Sequence, residues 1–339
     1  MINNKNNIFV NKSYWKNMSE EELNVFANEI FAYYREHGFP YYSKDKNFRD
    51  VEFNKLMNYD FINLFDGLTI KQTMHGLALA WSYFPHSFNV KCNNLMTPYE
   101  AFINDDVFIK VIHKRLKIGT YMSDSGIRKM LKIYTGVQGV SNFRPTAAAC
   151  IYNRYAPNGI VWDMSGGWGG RLLGAIVSKV NTYIATEPST KTYNGLIELS
   201  NDYGKSINSK IYCVGSEDFI PDKNSLDLCF TSPPYFDTEK YSDENTQSYI
   251  KYSEFNNWVD GYLRKTIMNC YHGLKNNKYL LINIADDNKN SRNLENTTIE
   301  IAKDCGFYYC GNISLALSNI NLQNKMNSFK FEPIFIFKK

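Results

Sequence analysis

Hydrophobic and polar positions follow two different rhythms along this chain, and the change falls near Ser141. Before it, apolar residues recur at helical spacing. Ser19-Glu20-Glu21-Glu22 has the form of a capping box, in which Glu22 reaches back to the Ser19 amide, and Leu23, Phe26, Ile30 and Phe31 then repeat along one face. Gly38 and Pro40 stop that helix. A second start lies at Thr97-Pro98-Tyr99-Glu100, where proline suits the first helical position. Val107, Val111 and Ile112 carry one apolar face on to Gly119, leaving Lys110, His113, Lys114 and Lys117 largely on other faces. Between these helices, the Trp81-bearing stretch from Gly76 to Pro85 is apolar enough for a core.

After Ser141, short apolar runs alternate with helical stretches, the pattern of an α/β unit with a mostly parallel sheet. The runs are Ile160 to Trp162, Thr182 to Ala185, Lys210 to Val214, Leu226 to Phe230, Tyr279 to Ile284, Tyr308 to Ile313 and Phe331 to Phe337. They predict seven strands. Helices fit at Arg171 to Val180, Lys191 to Tyr203, Ser253 to Gly273 and Leu294 to Cys305. The expected organisation is a mainly helical region over residues 1–138 and an α/β domain over 139–339. In such a sheet, ligands bind beyond the carboxyl ends of the strands, near the point where strand order reverses. The residues just after each run are therefore the candidates for function.

Composition adds bounds. With 339 residues, 44% apolar and 21% charged, the chain is an ordinary globular one, long enough for two units. A net charge of +4 permits a polyanionic partner without requiring one. Its distribution says more: between Lys110 and Arg144, Lys114, Arg115, Lys117, Arg128, Lys129 and Lys132 face a single acid, Asp124. This is a candidate nucleic-acid face or a solvated helix face. Seven cysteines without a C-x-x-C pair fit a reduced intracellular thiol set. The first seven residues lack the apolar core of a signal peptide, and no stretch approaches the about 18 apolar residues of a membrane span. A cytoplasmic protein is expected. The five histidines lack metal-ligand spacing, so no metal is expected.

Four segments carry candidate chemistry. The first run is followed by Asp163-Met164-Ser165-Gly166-Gly167-Trp168-Gly169-Gly170-Arg171, a glycine turn that brings backbone close to a nucleotide-like ligand or serves tight packing; no G-x-G-x-x-G runs through it. Glu187 closes the second run, placed to accept from both hydroxyls of a ribose or to cap the next helix. Gly215-Ser216-Glu217-Asp218-Phe219 follows the third, where Glu217 or Asp218 offers a carboxylate to an adenine amino group and Phe219 a ring. The fourth run ends in Phe230-Thr231-Ser232-Pro233-Pro234-Tyr235. Two successive prolines remove two amide donors and stiffen the backbone, leaving carbonyl oxygens for an amine.

Phe230 to Tyr235 resembles motif IV of the S-adenosylmethionine-dependent amino-methyltransferases of DNA, and its Thr-Ser-Pro-Pro form resembles the N4-cytosine branch most. Asp163 to Gly169 is similar to motif I, with Ser165 where phenylalanine is usual; Glu187 falls at the acidic end of motif II; and Phe143-Arg144-Pro145-Thr146 resembles motif X. The resemblance covers about Ser141 to Lys339. It implies a Rossmann-like sheet and a cofactor, S-adenosylmethionine, held by Phe143, Arg144, Pro145, Thr146, Asp163, Ser165, Gly167, Gly169 and Glu187, to which Glu217 is added from its position. It implies DNA as partner and a base flipped out of the stack onto Tyr235, with Ser232, Pro233, Pro234 and Tyr235 as the catalytic segment. The loop Phe236 to Ser242 is a candidate cover for that base. No Pro-Cys dipeptide is present, which argues against carbon methylation. No large insertion follows motif IV, so the expected DNA grip falls to the residues before about 140. Alternative readings are an RNA enzyme, for example acting at N2 of a tRNA guanosine, a protein amino-methyltransferase, and a non-catalytic nucleic-acid-binding protein. Ser232 stands where the RNA and protein enzymes carry asparagine or aspartate, and intact Asp163, Gly167, Gly169 and Glu187 speak against the non-catalytic reading.

Overall fold

A computed structural model describes residues 8–287, 289–317 and 330–339; the leader reading of residues 1–7 lies outside them. The chain divides into two compact units. One comprises Met1–Tyr42, Pro85–Ser141 and Glu239–Tyr241, the other Ser43–Phe84, Asn142–Thr238 and Ser242–Lys339.

The first unit is mainly helical. Its capping box forms: the Ser19 hydroxyl accepts from the Glu22 amide at 3.2 Å while the Glu22 carboxylate accepts from the Ser19 amide at 2.7 Å, opening the helix Glu20–His37. Gly38, at φ 81°, ends it. The helix expected from Pro98 to Gly119 is instead two, Pro98–Ile103 and Asp105–Ile118. Asn104 makes the break. Its amide donates to the Glu100 carbonyl, closing one helix, and its side chain accepts from the Val107 amide, opening the next. Phe26, Ile30, Tyr34, Phe88, Phe108, Val111 and Ile127 form the core. Buried polar tips are paired there, the Tyr34 hydroxyl donating to Asp124 at 2.8 Å and the Trp15 indole to the Leu116 carbonyl at 3.0 Å.

Half of the basic stretch is used inside this unit. Arg128 donates to the Pro40 carbonyl and lies 3.9 Å from the Tyr42 ring centre; Lys132 reaches the Val140 carbonyl. The Arg115 guanidinium covers Gly119 and Gly126 so closely that a Cβ at Gly126 would meet it at 2.4 Å. Lys110, Lys114, Lys117 and Lys129 are exposed. The first three recur at i, i+4 and i+7 of the helix Asp105–Ile118, so they form one stripe.

The second unit is built on a nine-stranded sheet. In chain order its strands are β1 (Phe65–Asp66), β2 (Thr69–Ile70), β3 (Ile160–Asp163), β4 (Thr182–Thr186), β5 (Asn208–Tyr212), β6 (Leu226–Thr231), β7 (Leu274–Asn283), β8 (Tyr308–Ala316) and β9 (Phe331–Lys338). Across the sheet the order is β1-β2-β8-β9-β7-β6-β3-β4-β5. All seven expected strands are present, and β1 and β2 extend the β8 edge. From β5 through β7 every neighbouring pair is parallel, while β9 is antiparallel to both β7 and β8. The order reverses between β3 and β6, where Val161 and Trp162 pair with Leu228 and Cys229. That is the switch point at which an open α/β sheet binds its ligand.

Residues 43–84 belong to this unit, a departure from the single boundary expected near 138. Arg49 is enclosed against Ser82 and pairs with Glu198 at 2.9 Å, its guanidinium 3.6 Å from the Tyr83 ring centre. The apolar stretch near Trp81 forms the buried helix Leu77–Tyr83, and Phe84 packs against Gly195, where a Cβ would meet it at 2.6 Å. The helix expected over Ser253 to Gly273 contains a six-residue π segment, Val259–Arg264. Among the described residues no helix is long and apolar enough to cross a membrane.

Candidate active site

Asp163 ends β3 fully enclosed, and its two oxygens carry four hydrogen bonds. Oδ1 accepts from the Ser165 amide at 3.2 Å and the Thr231 hydroxyl at 3.1 Å; Oδ2 accepts from Arg171 Nε at 2.8 Å and the Tyr183 hydroxyl at 2.7 Å. A carboxylate has about four acceptor positions, so none remains for a ligand. Asp163 therefore braces the glycine turn and ties the end of β3 to the end of β6. Arg171, buried beside it, also donates to the Ser165 carbonyl.

The glycines divide by role. A Cβ on Gly170 would stand 1.9 Å from the Phe143 carbonyl, one on Gly166 2.7 Å from Leu196, and one on Gly169 3.0 Å from Leu199 and Phe84. These three permit close packing. Gly167, at φ 55°, differs: a Cβ there would meet only ordinary contacts, the Ser165 carbonyl at 3.5 Å and Arg171 at 3.8 Å, so it is the backbone conformation that calls for glycine. Its amide donates to Glu187 Oε2 at 3.0 Å, while Oε1 accepts from the Ser189 amide at 3.0 Å. Each Glu187 oxygen thus keeps acceptor capacity for a hydroxyl. Burial pushes this carboxyl up to about 7, against the hydrogen bonds that favour its ionised form.

At the end of β5, Glu217 is buried, its Oε1 held by Lys251 at 3.0 Å and its Oε2 without a hydrogen-bond partner. A buried acceptor left unpaired is costly, and an amine donor would satisfy it. Asp218 is exposed and paired with the same lysine, so of the two acids Glu217 is the one with a buried acceptor to offer. Phe219 lies against Trp162 and Tyr212 at ring separations of 5.1 and 5.0 Å. Spare acceptors on Glu187 and the orphaned Glu217 oxygen fit a nucleoside-bearing cofactor.

Tyr262 is a residue the sequence reading missed. The π segment places its buried hydroxyl 3.3 Å from Ser165 Oγ. Burial first, then the neighbouring carboxylate of Glu217, keeps that phenol protonated far above the usual tyrosine range. No periodicity in the sequence signals a π turn, which is common at functional sites.

The expected motif X residues split. Phe143 packs edge-on against Phe230 at 5.2 Å, joining this segment to β6, and Pro145 starts the helix Pro145–Tyr155 with Arg144 as its cap residue. Thr146 is fully buried and its hydroxyl meets that of Thr73 at 3.0 Å, so its role is internal.

Beyond Thr231 the backbone turns through Ser232, Pro233, Pro234 and Tyr235. Pro233 is buried and Ser232 half-buried, with no hydrogen-bond partner for the Ser232 hydroxyl among the described residues. Tyr235 is fixed by its tip, the Ala285 amide donating to its hydroxyl oxygen at 2.9 Å. Phe236 follows at φ 59°, a conformation that costs a non-glycine residue roughly 1–2 kcal/mol, and packs 5.8 Å from both Phe255 and Trp258. Glu244 accepts from the Thr190 amide at 3.0 Å and Thr246 donates to the Pro188 carbonyl at 2.8 Å, so the following loop lies along the end of β4 beside Glu187.

Sheet order places these candidate residues at the switch point of a Rossmann-like α/β sheet. Residues 226–339 match the DNA methylase family N6_N4_Mtase. No curated protein matches the chain. Among solved structures, it is similar to a Pyrococcus horikoshii protein described as an RNA methyltransferase (15% identity, 57% of this chain and 81% of that one, TM-score 0.37). It is also similar to M. jannaschii TYW2 in complex with AdoMet (14%, 57% and 74%, 0.37) and to a Thermotoga maritima SAM-dependent O-methyltransferase (12%, 59% and 67%, 0.38).

Proposed function

We propose that the protein methylates the exocyclic amine of a flipped DNA base, N4 of cytosine in preference to N6 of adenine. The observation that carries this is the Ser232 hydroxyl, unpartnered in a donor-poor Pro-Pro turn at the sheet's switch point, within the segment that matches the DNA methylase family. Glu187, Glu217 and the Gly167 backbone would hold S-adenosylmethionine, which supplies an electrophilic methyl carbon on sulfonium. Tyr235, braced at its hydroxyl, offers a fixed ring for a base to stack on. Ser232 Oγ and the Pro233 carbonyl accept the two amine hydrogens, which turns the nitrogen lone pair out of conjugation and towards the methyl group. S-adenosylmethionine, when bound, would supply the methyl group that replaces one amine hydrogen, and that proton would leave to solvent. Positioning and preorganised acceptors supply the rate, without a covalent enzyme intermediate. The stripe Lys110, Lys114 and Lys117 is proposed to contact DNA phosphates.

The test is mass spectrometry of nucleosides from unmethylated DNA incubated with the protein and methyl-labelled S-adenosylmethionine. Labelled N4-methylcytosine, lost in Ser232→Ala and Tyr235→Ala, is the expected result. Labelled N6-methyladenine would change the base and keep the mechanism. Label in tRNA and none in DNA would overturn the reading.

A further inference from the structure

One arginine, far from motif IV in sequence, holds four consecutive residues of the turn that follows the two prolines. The Arg292 guanidinium donates through Nη1 to the Tyr235 carbonyl at 3.4 Å and to the Thr238 hydroxyl at 3.2 Å. Nη2 pairs with Asp237 at 2.5 Å, and the plane lies 4.7 Å from the ring centre of Phe236, the residue held at positive φ. The arginine is itself held. Its backbone exchanges two hydrogen bonds of 3.1 Å with Asp287, whose carboxylate stands 3.5 Å from Nη1 and also accepts from the Thr238 hydroxyl at 2.6 Å. Its side chain is only 14% exposed, far more enclosed than a solvated surface arginine. The Ala285 amide, from the same connection after β7, grips the Tyr235 hydroxyl. Tyr235 is therefore fixed at both ends: its ring tip by Ala285, its carbonyl by Arg292.

We propose that Arg292 is a positioning residue for methyl transfer, setting the Tyr235 ring and, through it, the Ser232 and Pro233 acceptors against the substrate amine. This rests on the DNA amino-methyltransferase reading above. Lysine cannot replace it, because a point charge reproduces neither the fork that spans Tyr235, Asp237 and Thr238 nor the stacking on Phe236. Arg292 does not touch Glu187, Gly167 or Glu217, so its loss should spare the cofactor.

The experiment compares wild type, Arg292→Lys and Asp237→Asn for kcat and KM on DNA, with S-adenosylmethionine affinity measured by calorimetry. Misplacement of about 1 Å costs on the order of a hundredfold in rate. We expect kcat to fall roughly 30- to 100-fold in Arg292→Lys and about fivefold in Asp237→Asn, with cofactor affinity within about twofold of wild type in both. An unchanged kcat, or kcat and cofactor affinity falling together, would overturn the assignment. If Arg292→Lys does not fold, Asp237→Asn alone decides between these outcomes. Should wild type itself leave no label in DNA, the underlying reading fails and the assignment with it.

Discussion

At the scale of single residues, the acids of the site separate into one whose acceptors are filled and one with acceptors to spare. Asp163 has spent its acceptors on Arg171, Tyr183, Thr231 and the Ser165 amide, so its removal would strand a buried guanidinium. Asp163→Ala should lower stability by about 3–5 kcal/mol, read from urea unfolding; a loss confined to cofactor affinity would contradict the bracing role. Glu187 behaves otherwise. Because burial lifts its carboxyl from 4.5 to about 7, the folded chain favours the protonated form and loses stability as pH rises from about 4.5 to about 7. Ribose hydroxyls prefer the carboxylate, so cofactor affinity should climb as pH rises through about 7 and level off above it. Glu187→Gln should flatten that profile in a calorimetric titration, and a profile unchanged by the substitution would exclude Glu187 as its source.

At the scale of elements, the π segment Val259–Arg264 makes the sharpest claim. It inserts one extra residue per turn and thereby directs Tyr262 towards Ser165. Deleting a single residue from it should restore a regular helix, rotate Tyr262 away and weaken S-adenosylmethionine binding by about tenfold, the order of one lost hydrogen bond. Equal loss in Tyr262→Phe would trace the effect to the hydroxyl. This element was not legible in the sequence, whereas β3 to β9 were, and the reason is physical. Strands such as Leu226–Thr231 are apolar runs bounded by turn residues, so their signal is local. The π turn, the Asn104 break and the two-residue strands β1 and β2 depend on partners distant in sequence. The same holds within the site. The glycine turn, Glu187 and the Pro-Pro segment were legible as positions because each follows its own strand, whereas the internal bonds of Asp163 and Thr146 and the contacts of Tyr262 and Arg292 emerge only once the chain is folded.

At the scale of the whole molecule, the two units are interleaved along the chain, and this decides how DNA binding can be tested. Cutting at residue 138 would remove β1, β2, Arg49 and the helix Leu77–Tyr83 from the α/β unit, so loss of activity would say nothing about DNA. Substitution is the sound route. Lys110→Ala, Lys114→Ala and Lys117→Ala together should weaken DNA binding and reduce the slope of log affinity against log salt by about 2–3, at roughly 0.9 per phosphate contact, while leaving cofactor affinity intact. An unchanged slope would remove the stripe from the interface.

The position of β9 bears on how the protein is made. Residues 331–338 follow the other described strands of the sheet in chain order, yet they fill a slot between β7 and β8 in its interior. Until they arrive, a growing chain carries two facing strand edges with unpaired backbone groups, each able to recruit another nascent chain. Chains that stop before residue 331 should therefore be prone to aggregation.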